Sequence, residues 1–146
     1  MEGILTAMDG MPLHDLVRPQ SANELQQVVG RAATEKFGLF PIGGGTMMHV
    51  GRPPSRSGIG IDLTGMNQVV DYPARDMTIT VQAGITMARL NEILAAERQR
   101  LPIDVPQPQR ATVGGSIACN MSGPRRLGFG TFRDYVIGIR FIDDQG

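Results

Sequence analysis

The chain has 146 residues with 14 basic and 14 acidic side chains, so its formal net charge is zero. That balance excludes a nucleic-acid or anionic-membrane partner held by bulk electrostatics, because such binding rests on phosphates neutralised by an excess of Lys and Arg. A hydrophobic fraction of 41% at this length indicates one globular domain, or two small lobes, with a real core. The single cysteine, Cys119, excludes an internal disulfide and a cysteine-held metal cluster, and it points to a reducing compartment.

Residues 1–17 carry acids early and lack the basic start and long apolar run of a secretory leader, so they read as a lead-in without periodic pattern. No stretch approaches the roughly 20 apolar residues of a membrane-spanning helix, and the expected location is the cytoplasm. A helix is expected next. Ser21 and Glu24 form a capping box, Leu25, Val28, Val29, Ala32 and Lys36 trace one face, and Gly38 stands where a helix end favours positive φ. "LFPI" then reads as a short strand running into glycines. Ile59 and Ile61 alternate in another strand, and Val69 and Val70 precede a turn over Tyr72 to Asp76. Met77, Ile79, Val81 and Ala83 share one face of a further strand. Thr86 is the expected N-cap of a second helix, with Met87, Leu90, Ile93 and Leu94 as its buried stripe and Pro102 as its stop. An apolar run from Ser116 to Cys119 is a candidate helix start. "DYVIGIRFIDDQG" reads as a strand ending in a hairpin-like turn with no return strand, which suits an edge strand or, the favoured reading, a piece of a longer chain.

Two stretches carry candidate chemistry. "GGGT" places three glycines, entropically costly in any ordered structure, directly after a strand. It reads either as a turn or as an anion nest, in which successive N–H groups with no Cβ in the way converge on a phosphate and Thr46 adds a hydroxyl. The order helix, strand, glycines excludes the strand, G-x-G-x-x-G, helix of a Rossmann turn, and no P-loop spacing is present. "ATVGGSIACN" is a second place where bare backbone approaches something, and two such loops suit one extended ligand between them. Cys119 reads as a small core residue, the nine methionines as adaptable packing, and His49 as structural or solvent-facing.

In the order "RPQSANEL", "PIGGGT", "VQAGITMARLNEIL", "LPIDVP", "ATVGG", "GPRR" and "GTFRDYVIG", the chain resembles the FAD-binding domains of the vanillyl-alcohol oxidase or PCMH type. Among its branches it is most similar to the FAD-binding subunit of glycolate oxidase. The resemblance implies an α+β fold of two small lobes. One is a short parallel β-α-β lobe over about 18–75, and the other a mostly antiparallel sheet with helices over about 76–146, incomplete before its last strands. It implies that FAD lies against Ile42, Gly43, Gly44, Gly45, Thr46 and Met47 at its pyrophosphate. Pro106, Thr112, Val113, Gly114, Gly115 and Ser116 would follow it toward the flavin ring, with Asn120 and Gly123 nearby. Glycine at 114 and 115 would let the ring approach the peptide edge.

Members that tether FAD covalently often place His directly after the glycines. Thr46 stands there, so non-covalent FAD is expected. The resemblance further implies flavin-dependent oxidation of a 2-hydroxy acid such as glycolate or lactate. A larger flavin subunit and an iron–sulfur subunit would be its partners, in the cytoplasm or in a membrane-associated complex without direct insertion. The alternatives are the FAD domain of a sugar, alditol or lactone oxidase, a non-catalytic flavin domain serving assembly, and a phosphate-binding module without flavin. No catalytic base and no metal site can be named. Arg125 and Arg126 read either as solvated surface residues or as a paired guanidinium site for a partner subunit or a flavin-adjacent carboxylate. Arg133 and Asp134 read as a structural pair or a cap.

Overall fold

The computed structural model describes residues 11–52 and 54–146. Strand β1 (Leu13–Val17) is followed by helix α1 (Ala22–Glu35), strand β2 (Gly38–Ile42) and strand β3 (Gly58–Asp62). The start of α1 follows from its sequence. The Ser21 hydroxyl accepts from the Glu24 amide at 3.2 Å, and the Glu24 carboxylate reaches back to the Gln20 amide at 2.9 Å. Its end differs from expectation, because Lys36 rather than Gly38 takes the left-handed turn, at φ 59°. Gly38 instead opens β2 opposite Gly58, where a Cβ on Gly58 would lie 2.2 Å from the Gly38 carbonyl oxygen. The glycine there permits a close strand approach.

β1, β3 and β2 form a parallel sheet in that order. The central β3 is buried from Gly58 to Ile61, as a strand covered on both faces must be. The segment expected as lead-in therefore ends in a sheet strand. Leu13 and Leu16 explain the pairing, since together with Ile42 their side chains fill the space beside Gly60. The first ten residues of that segment lie outside the described residues. α1 packs against β2 with Val29 and Ala32 buried.

A 3-10 turn (Leu63–Gly65) leads to β4 (Val69–Asp71), which pairs antiparallel with the short β5 (Thr80–Val81). The alternation from Met77 to Ala83 yields only that much strand. A second 3-10 turn (Ala74–Asp76) ends on Met77, which adopts φ 55° and points out, 81% exposed. The lobe boundary expected between 75 and 76 falls in this turn, between two strands that pair with each other. Tyr72 ties the turn to the segment just after the next helix through Gln99, whose amide also donates to the Ala74 carbonyl.

Helix α2 (Met87–Ala96) starts on Thr86, whose hydroxyl caps the Arg89 amide. Met87, Leu90 and Leu94 are buried and Ile93 is half-buried. The helix ends at Glu97, well before Pro102, as Arg98 turns the chain at φ 57°. Helices α3 (Val113–Ala118), α4 (Arg126–Phe129) and α5 (Phe132–Tyr135) follow. Met87, Ile103, Ala111 and Phe132 form a core, with Leu101, Val105, Val113, Ile117 and Val136 packed around it. This core grips the 103–117 segment at several points and so fixes the wall it forms.

No strand forms over Tyr135–Asp143. Tyr135 closes α5, and Ile137, Ile139 and Phe141 are 85%, 62% and 82% exposed. The stretch has a strand's alternation, but none of the described residues pairs with it, and a strand needs a neighbour for its N–H and C=O groups. The turn after it does form, with the Gly146 amide on the Asp143 carbonyl. Asp134 serves as a cap, accepting from the amide and hydroxyl of Thr131 at the start of α5. Those bonds hold its carboxyl below the usual carboxylate range.

Candidate functional site

β2 ends on Ile42, which is 3% exposed, and the chain turns at once through Gly43 to Thr46. Loops at the carboxyl ends of parallel strands are where such sheets build ligand sites. A cleft of about 690 Å³ opens there, between this loop and the segment from Val105 to Met121. Ile42, Gly43, Gly44, Gly45, Thr46 and Met47 line it from one side, and Pro106, Thr112, Gly115 and Ser116 from the other. Four of the expected residues lie elsewhere. Val113 packs on the core, and Gly114 sits where a Cβ would meet that of Ala83 at 2.7 Å. Asn120 turns the chain past the end of α3 at φ 51°, and Gly123 is pressed against the Asp104 backbone.

The two loops use their backbone in opposite ways. Among the described residues, nothing accepts a hydrogen bond from the amides of Gly44, Gly45, Thr46 or Met47. Four successive amides without an acceptor, in a loop that borders the cleft and turns left-handed at Gly45 (φ 64°), are the makings of an anion nest. In the second loop the corresponding groups are taken. Val113 donates to the Ile85 carbonyl, Gly114 to the Ala83 carbonyl and Gly115 to the Thr112 hydroxyl. That loop offers shape rather than amides. The bare face of Gly114 is turned to Ala83, so a close approach to a ligand falls to Gly115 alone.

The glycines of the first loop also let the two walls meet. A Cβ on Gly43 would lie 2.3 Å from the Thr112 hydroxyl oxygen, and one on Gly44 would lie 1.7 Å from the Arg110 carbonyl oxygen. The Arg110 guanidinium also donates to the Gly44 carbonyl, at 3.1 Å.

Several lining residues escaped the sequence reading. His49 borders the cleft, and Cys119 is exposed and lines it, where a core position was expected. The six-residue α3 explains this. Its inward face is spent on Ser116, and Cys119 falls on the C-cap beyond it. Met48 and Met121 add an adaptable apolar wall. Their only signal was methionine next to each glycine loop, which packing explains equally well.

Below the second loop, Arg125 grips Asp104 through two hydrogen bonds of 2.5 Å and lies over the Phe129 ring, as does Arg100. The Arg125 hydrogen bonds hold the Asp104 carboxyl below the usual carboxylate range and raise the guanidinium in turn. Arg125 of "GPRR" is thus engaged within the chain, by Asp104, rather than presented with Arg126 as a pair. Among the described residues there is no cluster of three metal-ligating side chains, and no helix is long and apolar enough to cross a membrane.

A mixed α/β domain with a glycine loop of unpaired amides at the carboxyl end of a parallel strand, beside a largely apolar cleft, is an arrangement suited to a phosphate-bearing ligand. The match to known proteins specifies which. Residues 14–146 fit the FAD binding domain family, and the chain belongs to it. The D-2-hydroxyglutarate dehydrogenase of Xanthomonas citri pv. viticola is 29% identical over 88% of this chain and 27% of its own length. Glycolate oxidase subunit GlcE of Escherichia coli is 32% identical over 84% and 35%. A solved structure of alkyldihydroxyacetonephosphate synthase superposes with a TM-score of 0.71 at 30% identity, over 82% of this chain and 24% of that one. The chain thus spans about a quarter to a third of the length of these relatives. The cofactor is FAD, and the residues present fit it: free amides for a diphosphate, and an apolar wall opposite for its flat rings.

Proposed function

We propose that this chain is the FAD-holding part of a flavin-dependent oxidoreductase that oxidises a 2-hydroxy acid such as glycolate or lactate. The observation that carries the flavin reading is the run of free amides from Gly44 to Met47 on a cleft whose other wall is Thr112 to Ser116. The substrate class rests on relatives that include glycolate oxidase subunits and D-lactate dehydrogenases. Bound FAD supplies the two-electron acceptor for hydride transfer. The chain's own residues bind and orient it: the nest neutralises phosphate oxygens, Thr46 adds a hydroxyl, and Gly115 admits a ring edge. Attachment is non-covalent, with Thr46 in the position after the glycines. The partners are a larger flavin subunit and an iron–sulfur subunit that takes the electrons, and the setting is the cytoplasm or a membrane-associated complex.

The test is an FAD titration of the full chain by flavin fluorescence, free of tryptophan background because the sequence has none. Saturable quenching by FAD, weaker with FMN, supports the reading, and no binding by a folded chain overturns it. Dye reduction by the assembled protein with glycolate or D-lactate then tests the substrate class. One observation favours a second reading. The same domain serves a relative named as a synthase, so an FAD-loaded protein that oxidises no 2-hydroxy acid would point to a reaction set outside this chain.

A further inference from the structure

The peptide between Gly44 and Gly45 is weakly restrained, because neither flanking residue has a Cβ to oppose its rotation. Its carbonyl oxygen is held by Arg110 Nη2 at 3.1 Å. Carbonyl and N–H of one trans peptide point in opposite directions. Holding the Gly44 oxygen toward Arg110 therefore turns the Gly45 N–H the other way, where no described residue accepts it. A flip of this peptide would present an oxygen in place of an N–H and convert an anion nest into an anion-repelling edge.

Arg110 is itself firmly based. Its backbone and that of Ala111 bond to the Gln107 carbonyl, and Gln107 stands in a left-handed turn at φ 52°. Pro108 and Ala111 accept from the Ala88 and Met87 amides at the start of α2, so the turn is seated on a helix end. The second guanidinium nitrogen, Nη1, meets Gln107 Oε1 at 3.3 Å. Among the described residues no carboxylate lies within ion-pair distance of Arg110. The side chain is thus free of the competing partner that Arg125 has.

We infer that Arg110 is a positioning residue that locks the Gly44–Gly45 peptide in the orientation that receives an anion. This rests on the diphosphate-binding reading of the cleft and deepens it. Arg110 does not line the cleft, so it acts through the peptide rather than by touching the ligand, and most of its effect survives high salt, unlike that of a direct charge contact.

The experiment compares wild type with Arg110→Met and Arg110→Lys in the full chain. It measures affinity for FAD, inorganic pyrophosphate and riboflavin at low and high salt, with circular dichroism to check the fold. Arg110→Met is expected to weaken FAD and pyrophosphate by about five- to tenfold, the scale of one hydrogen bond. Most of the loss should persist at high salt, riboflavin should be unaffected, and Arg110→Lys should recover part of the loss. Equal FAD and pyrophosphate affinity in Arg110→Met overturns the inference, as does a loss that vanishes at high salt, which would assign Arg110 a charge contact instead. A loss shared by riboflavin would show general loop damage and also overturn it. If wild type binds pyrophosphate but not FAD, the flavin reading falls while the ratio between variants still decides on Arg110. If it binds neither, both fall.

Discussion

Thr112 occupies the space that a Cβ on Gly43 would need. Its hydroxyl oxygen would lie 2.3 Å from that atom, and the same oxygen caps α3 by accepting from the Gly115 amide. Thr112 is 1% exposed and bridges through its backbone to Thr86, so it cannot step aside. The fit of the two walls is therefore one contact with two duties.

Gly43→Ala should destabilise the fold by about 1–3 kcal/mol, the usual range for overpacking. Thr112→Ala should cost about 1 kcal/mol through the lost cap. The double variant should cost clearly less than the sum, because removing the hydroxyl vacates the space the new methyl needs. Urea unfolding of the four proteins checks this, and strict additivity would mean the two positions do not touch.

The same geometry separates the roles of the two loops. Gly115→Val adds a side chain to the cleft wall opposite the glycine loop, so on the proposed FAD placement FAD should bind at least tenfold more weakly while inorganic pyrophosphate binds as before. Gly45→Ala should do the reverse of sparing pyrophosphate. It forces a Cβ into the left-handed region at φ 64°, a strain of about 1–2 kcal/mol, in the nest itself. Calorimetric titration of both ligands against both variants is the check. A Gly115→Val protein with intact FAD affinity would remove the second loop from the cofactor site.

Much of this was legible because caps are local. Ser21 with Glu24 and Thr86 announce α1 and α2 through bonds made within a turn, and "PIGGGT" marks a strand running into a glycine loop on the cleft. What the sequence left obscure depends on partners far along the chain. Gly38 resembles a helix cap until Gly58 is known to face it. Gly114 resembles a ligand contact until Ala83 is seen beneath it. The alternation from Ile137 to Phe141 is a strand's, yet strand structure is a property of pairs. Arg110 carried no signal at all, since its meaning lies in the Gly44 carbonyl, 66 positions away in the chain.

Cys119 offers a direct readout of cleft occupancy. Its thiol is exposed and lines the cleft, and it is the sole cysteine of the chain. A chromogenic thiol reagent should label one site per chain, and saturating FAD should slow labelling severalfold. Acid precipitation should release all the flavin into the supernatant, as the proposed non-covalent attachment requires. Labelling unchanged by bound FAD would place the cofactor away from the end of α3.

Acid should loosen the second wall before the rest. The Arg125 hydrogen bonds depress the Asp104 carboxyl more than its partial desolvation raises it. A carboxyl with a depressed folded-state pKa favours the folded state above its ordinary range, and that contribution is lost as pH falls through the depressed value. Asp104 stands between Ile103 of the core and Val105 and Pro106 of the cleft, and Gly123 packs on its backbone. Wild type should therefore melt at a higher temperature than Asp104→Asn at pH 7, and the gap should close as pH falls below the ordinary value of 3.8. Asp134 titrates in the same direction through its Thr131 bonds. It does so in both proteins, so the difference between the two melting curves isolates Asp104. A gap that stays constant from pH 7 to pH 3 would mean that the Asp104–Arg125 ion pair contributes nothing to holding this wall.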